Sequence, residues 1–290
     1  MTHLSRVVAA VDLSEISPAV LSTAIRIARK LGCGVRLLHV SESLLGEEEK
    51  GPLLPALKKM VDEARSETER DFAALLSGAS AEGIDIHGSV EEGQAAQKII
   101  ETARRCRAPY IVVGGPHPGG GSVAATLGRV LRSSTTPVLI VRKPPKHGYR
   151  KVLLGADISD EAPAVLAAAM QKICEPDANY TVLNIVSTGR FHHLFTNIDN
   201  LLAERRKKLA EWAAALNLPG AAVAVSAGDP KKKLLEEAQT LGADLLVVSS
   251  HATTELTELF LGSVARSAAN KAPCDVLVCS PRGQKTSGLP

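Results

Sequence analysis

The stretch 243-ADLLVVSSHATTELTELFLGSVARSAANKAPCDVLV-278 decides the fold. Leu245–Val248 is a short apolar run that ends in Ser249-Ser250. Such a run suits a strand covered on both faces of a parallel sheet. A polar loop follows, and Gly262-Ser263 then opens a segment with Val264, Ala265, Ala268 and Ala269 at helical spacing. Pro273 stops that helix, and Val276–Val278 is the next strand. Two parallel strands joined by a helix place the loop after the first strand at the sheet's C-terminal edge. That edge is where open α/β sheets bind ligands.

The same pattern occurs earlier in the chain. APYIVVGG (Ala108–Gly115) matches ADLLVVSS (Ala243–Ser250), and PVLIV (Pro137–Val141) matches DVLVC (Asp275–Cys279). RVVAAVDLSEISPAVL (Arg6–Leu21) matches KVLLGADISDEAPAVL (Lys151–Leu166). The last match has an offset of 145 residues, and the three matches recur in the same order, so the chain is two copies of one domain of about 145 residues. The first copy takes residues 1–143 and the second 149–282, with a Pro-Pro and Gly linker, Lys143–Gly148, between them.

Within the first copy the order is strand Arg6–Val11, a helix with Ser17 as N-cap and Pro18 at its first position, and strand Val35–Val40. An acidic connection (Ser41–Pro52), read as a mobile loop, leads to a long amphipathic helix from about Pro55 to Leu76. Strand Ile84–Val90, a helix and strand Tyr110–Val113 come next. GGPHPGGGS (Gly114–Ser122) is the most glycine-rich stretch, and a helix and strand Val138–Val141 close the copy. The second copy repeats this order, with Asp157 in the place of Asp12, second strand Tyr180–Val186 and loop Ser187–Phe195. Arg282–Pro290 reads as a frayed tail. The expected fold class is α/β: two tandem doubly wound parallel five-stranded sheets with helices on both faces.

Composition narrows the function. Hydrophobic residues make up 45% of the 290-residue chain and aromatics only 3%, so the cores are aliphatic. A net charge of +3 is too small to argue by itself for a nucleic-acid partner, which calls for a concentrated basic face, and such a partner is not expected. The five cysteines form no C-x-x-C and no paired framework. No run approaches the roughly 20 apolar residues of a membrane span, and the N-terminus does not read as a signal peptide. The expectation is a cytoplasmic protein without a membrane partner. No G-x-S-x-G and no Walker loop is present, so binding suits the sequence better than turnover, with slow ATP hydrolysis at most.

Taken together, VVAAVDLSEISPAVLSTAIRIA, LLHVSES, APYIVVGG and PVLIVRKP in the first copy resemble the universal stress protein family in its tandem form. VLLGADISDEAPAVL, ADLLVVSSHA, LGSVARSA and APCDVLV carry the same resemblance in the second. The resemblance implies a stress-response protein with a Rossmann-like fold of the adenine nucleotide alpha hydrolase kind. It also implies a possible ligand in ATP or another adenine nucleotide, held in the first domain, with Mg accompanying it, while Ser249 and Ala252 favour loss of nucleotide binding in the second. ATP-binding members carry a G-x2-G-x9-G-[ST] loop after strand four. Glycines there let backbone N–H groups reach phosphate oxygens at a helix N-terminus.

This chain departs from that loop in both copies. Ser249 and Ala252 take the first two glycine positions of the second copy, and Gly262-Ser263 remains. In the first copy Gly114 and Gly115 are followed by Pro116 and Pro118, which remove N–H donors. Either Gly121-Ser122 or Gly128-Arg129 matches the helix start. The implied nucleotide contacts are Asp12, Val40, Gly114, Gly115, Gly119, Gly120, Gly121 and Ser122 in the first copy. In the second they are Asp157, Gly262 and Ser263, and Ile185 corresponds to Val40.

Each candidate also has a plainer reading. Asp12 and Asp157 are an Asp closing a strand into a turn, and the Gly119–Ser122 run is a flexible loop with a Ser cap. His117 and His251 lack metal-ligand partners at any recognisable spacing, and His192-His193 sits in a loop. Arg205–Lys208 and Lys231–Lys233 are solvated helix faces. The resemblance further implies association through the fifth strands, Val138–Val141 and Val276–Val278, as a homodimer or as a pseudo-dimer within one chain. The alternative function is a structural or interaction protein that has lost nucleotide binding.

Overall fold

The structure is a computed structural model. It describes residues 5–41, 55–79, 83–117, 122–157, 163–187, 198–216, 218, 220–250 and 261–280. Glu42–Pro52, Gly119–Gly121, Thr188–Phe195 with His192-His193, His251, Ala252 and the Arg282–Pro290 tail lie outside the described residues. By contacts the chain forms two compact units: Met1–Gly114 with Ala125–Val130, and Gly115–Ala124 with Leu131–Pro290.

In the first unit, β1 (Arg6–Val11), β2 (Gly34–Ser41), β3 (Ile86–Glu92) and β4 (Ile111–Gly114) are parallel in the order β3-β2-β1-β4. Val7, Val8 and Ala9 of β1 and Ile111 and Val112 of β4 have no exposed surface. This is the signature of strands covered on both faces. α1 (Ser17–Leu31) packs on β1, β2 and β4 through Val20, Leu21, Ala24, Ile25 and Ala28. Gly32 ends it with φ +63, the left-handed conformation that a glycine adopts without a Cβ clash. α2 (Pro55–Ala79) lies beside α1 and β3, and α3 (Ala95–Arg105) packs on β1 and β2. α4 (Val123–Ser133) buries Leu127, Val130 and Leu131.

One cap differs from expectation. Ile16, not Ser17, holds the N-cap position of α1, and it makes no side-chain cap bond. Ser17 is buried inside the first turn and turns its hydroxyl back to Asp12. A serine that can serve a neighbouring aspartate is drawn off the cap.

In the second unit, β6 (Tyr149–Gly155), β7 (Cys174–Ser187), β8 (Ala222–Gly228), β9 (Leu245–Ser249) and β10 (Asp275–Cys279) are parallel in the order β8-β7-β6-β9-β10. β5 (Val138–Val141) joins the same sheet antiparallel to β10, with Leu139 opposite Leu277. The intrachain pairing of the two fifth strands is therefore present. β7 begins at Cys174, earlier than the expected Tyr180. Its register slips between Tyr149 and Lys151, so Glu175–Ala178 bulge past a single residue of β6. α5 (Pro163–Gln171) contacts α6 (Ile198–Ala215), and α7 (Pro230–Thr240) contacts α8 (Ser263–Lys271). Among the described residues no helix is long and apolar enough to cross a membrane.

A buried polar knot joins β5, the linker and β10. Asp275 has no exposed surface. Its Oδ1 accepts from the backbone N–H groups of Arg142 at 2.7 Å and Lys143 at 2.8 Å, and its Oδ2 from the Tyr149 hydroxyl at 2.7 Å. The Arg142 guanidinium donates to the carbonyl of Ala269. Burial lowers the Arg142 pKa, and the Asp275 charge works the other way.

Candidate functional site

In the first unit the candidates gather where β1, β2 and β4 end. Asp12 follows β1, and its Oδ1 accepts from Ser14 N at 3.1 Å, Ser14 Oγ at 2.5 Å and Ser17 Oγ at 3.3 Å. An aspartate bonded to the backbone two residues on is an Asx turn, so Asp12 shapes the β1–α1 loop. Val40 is half-buried near the end of β2, opposite Glu91. Gly114 has no room for a side chain, since a Cβ there would meet Ile16 Cγ2 at 2.9 Å. In the second unit, a Cβ on Gly115 would meet Arg142 Cγ at 2.8 Å, and its N–H donates to Val141 O at 2.8 Å. Ser122 is exposed just before α4.

A cleft of ≈ 1030 Å³ opens on the second unit at the same edge of its own sheet. Asp157 lines it from the end of β6, Ile185 from β7, and Ser249 from β9. Gly262 and Ser263 line it from the start of α8, so the structure brings Asp157, Ile185, Gly262 and Ser263 together. Leu183, Leu234, Val248 and Leu261 supply apolar wall. Two residues outside the expected set join them, Arg205 of α6 and Arg266 of α8.

The edge of this cleft is held in place by hydrogen bonds. Asn184 Nδ2 donates to Ala156 O at 2.8 Å, and Ala156 N donates to Leu183 O at 2.8 Å. Ser250 N donates to Cys279 O at 2.8 Å, the counterpart of the Gly115–Val141 bond. α8 has Gly262 at its N-cap and no side-chain cap bond. Its first N–H groups lack intrahelical partners, as at any helix start. α7 differs, because Asp229 caps it by accepting from Lys231 N at 2.9 Å.

The size of the cleft is ample for a small-molecule site, typically about 300–1,000 Å³. The polar groups at its rim are the Asp157 carboxylate, the end of β7 at Ile185 and the first N–H groups of α8. Among the described residues no group of three or more His, Cys, Asp and Glu is placed to hold a metal ion. Magnesium bound with a nucleotide takes its ligands mainly from phosphates, water and one or two carboxylates, and Asp157 is the carboxylate in the cleft wall.

The sequence model for the universal stress protein family matches this chain twice, over residues 3–142 and 148–280. The chain belongs to the universal stress protein family. It is 25% identical over 294 residues to a universal stress protein of Mycolicibacterium smegmatis, covering 94% of this chain and 96% of that one. It is 31% identical over 144 residues to universal stress protein A homolog 2 of Coxiella burnetii, covering 47% of this chain and 97% of that shorter one. A crystal structure of a universal stress protein from Archaeoglobus fulgidus matches with a TM-score of 0.66 at 19% identity, covering 95% of this chain and 96% of that one. At that identity the match speaks for the fold.

In this universal stress protein, sequence reasoning missed Asn184, Arg205 and Arg266. Asn184 had a signal, a polar residue amid the apolar run VLNIV. Arg205 was read as part of a solvated face, and only tertiary packing brings α6 to the cleft. Cys274 is buried, and burial first, then the Asp275 charge, pushes its thiol up to about 12.

Proposed function

We propose that this tandem universal stress protein is a nucleotide-responsive binding module, and that the second-unit cleft takes an adenine nucleotide. The observation that carries the reading is the convergence of Asp157, Ile185 and the uncapped start of α8 on one cleft at the sheet's C-terminal edge. Helix starts of this kind favour anions, because unpaired N–H groups and the dipole point the same way. The first copy of the repeat carries a parallel set in its sequence, Asp12, Val40 and the Gly114–Ser122 stretch, which would take ATP in the same manner. The role is binding that alters what the protein contacts in the stress response, in the cytoplasm.

A second reading, an interaction protein without a nucleotide, draws on Gly114 and Gly115. Ile16 and Arg142 occupy the space beside these glycines, so packing alone accounts for both. One experiment separates the readings. The protein is purified without added ligand and denatured, and released nucleotide is identified by mass. ATP is then titrated calorimetrically into wild type, Asp157→Ala and Gly121→Val. Loss of binding heat in Asp157→Ala supports the second-unit site, and loss in Gly121→Val a site in the first copy. No released nucleotide and no heat at millimolar ATP in wild type sinks the nucleotide reading.

A further inference from the structure

We infer that the first unit carries a binding site for phosphate or a phosphate monoester on one face of the edge strand β3, built from Arg36, His87 and Ser89. None of these residues belongs to the nucleotide candidates, which gather at the other end of the strands.

The register brings the three side chains together. Arg36 of β2 lies beside His87 of β3, and Leu38 beside Ser89. Side chains alternate along a strand, so Arg36, His87, Ser89 and Glu91 share one face. A Cβ on Gly88 would meet Phe72 and Leu76, so α2 covers the opposite face. On the His87 side, α3 packs on β1 and β2. It sends Lys98 to Glu91 at 3.6 Å and Arg105 to Glu91 at 3.4 Å. β3 ends the sheet, and there His87 is exposed and Ser89 half-buried.

The carboxylates of this face are already taken, Glu91 by α3 and Asp85 by Arg6 and His87. Arg6 lies beside Gly34 in the register and crosses its bare backbone to reach Asp85 at 2.8 Å. A Cβ on Gly34 would meet Arg6 Nε at 3.3 Å. His87 Nε2 holds the other Asp85 oxygen at 2.9 Å. The Arg6 hydrogen bond, foremost, holds the Asp85 carboxyl below its usual range. Arg36 is left with no carboxylate among the described residues. Its Nη2 donates to Ser89 Oγ at 2.9 Å, and its buried Nε has no partner. A half-buried guanidinium without an anion is unfavourable, and a bound anion reverses that.

The donors left over suit a tetrahedral anion. The Arg36 fork has N–H groups to spare. The Ser89 hydroxyl accepts from Arg36 and keeps its own proton, which no acceptor among the described residues takes. His87 gives Nε2 to Asp85, and an imidazolium also donates from Nδ1. Three donor side chains on two adjacent strands match three phosphate oxygens, whereas a planar carboxylate offers two.

The test titrates inorganic phosphate, phenyl phosphate and acetate into the full-length chain at low salt. It reads the Arg36 Nε–H and His87 ring resonances by NMR, which separates this site from phosphate bound elsewhere. Phosphate should shift both resonances saturably, and acetate should bind about tenfold more weakly. Ser89→Ala and His87→Gln, read at Arg36, should each weaken phosphate by about fivefold. Arg36→Gln, read at His87, should weaken it by about tenfold or more, and Arg36→Lys should recover part of the loss because it keeps the charge. Circular dichroism and a melting curve establish that the variants fold.

Phenyl phosphate binding as tightly as phosphate, or more tightly, upholds the site and makes a monoester its ligand. Binding of inorganic phosphate alone upholds it with the free ion as ligand. An unmoved Arg36 resonance at tens of millimolar phosphate overturns the inference. So does acetate binding as tightly as phosphate, or full phosphate affinity in the folded variants. The nucleotide reading stands or falls separately, on other residues.

Discussion

Asn184 and Ala156 are joined by a buried hydrogen bond of 2.8 Å from the side-chain amide to the carbonyl that immediately precedes Asp157. The first unit solves the same problem with a different residue. His39 Nδ1 lies 2.9 Å from the carbonyl of Val11, which precedes Asp12. The contact requires the proton on Nδ1. In each unit the second strand therefore ties down the last carbonyl of the first strand, and with it the start of the loop that carries the aspartate.

Asn184→Leu leaves the buried Ala156 carbonyl without that donor. It should cost about 1–3 kcal/mol in urea unfolding and weaken any ligand held by Asp157. Asn184→His, which imports the first unit's solution, should recover part of both losses. Equal stability of Asn184→Leu and wild type would remove the tie from the account.

Gly114→Ala places a Cβ 2.9 Å from Ile16 Cγ2. The expected destabilisation is about 1–3 kcal/mol, the usual cost of overpacking. Ile16→Val in the same chain should not relieve it if Cγ2 is the clashing atom, since valine keeps that methyl, whereas Ile16→Ala should. Denaturant midpoints of the single and double variants decide this.

Asp275→Ala strands the buried Tyr149 hydroxyl and leaves two part-buried backbone N–H groups without their acceptor. Breaking a buried charged cluster costs about 3–5 kcal/mol. Tyr149→Phe removes one of the three bonds and should cost less, about 1–3 kcal/mol. The double variant should fall short of the sum, because the two residues share one bond. Strict additivity in chemical denaturation would contradict the knot.

Cys274 should not react with a thiol reagent at pH 8 in the folded protein, since its thiol is pushed up to about 12 against an ordinary 9.0. Its folded pKa lies above its unfolded one. The stability it contributes is therefore fully present below about pH 9 and lost as pH rises towards about 12, where the unfolded thiol ionises first. Cys274→Ala should flatten the alkaline fall in melting temperature. An unchanged slope would show that other groups control it.

Much of the fold was legible because aliphatic strands and Gly or Pro punctuation are local signals. Arg6–Val11 and Val138–Val141 fall where their apolar runs are. The start of β7 was not legible, because Glu175-Pro176-Asp177 looks like a turn and is in fact a bulge. Ser17 looked like a cap because serine before proline favours one, yet Asp12 competes for its hydroxyl. Of the candidate residues, Asp157 was expected from the repeat and Gly262 and Ser263 from the family resemblance, and all three line one cleft. Arg205 and Arg266 were not, since a charge on a helix reveals its neighbours only once the helix is docked.

The antiparallel pairing of β5 with β10 also bears on how the chain is made. β5 leaves the ribosome more than a hundred residues ahead of its partner, and at about 5–20 residues per second that is roughly 7–27 seconds. Through that interval the Val-Leu-Ile-Val edge has no β10 to pair with. An unpaired apolar edge of this kind invites association with other chains. Truncation before Val276 should leave that edge open, so a few residues near the end of the second repeat govern whether nascent chains stay apart.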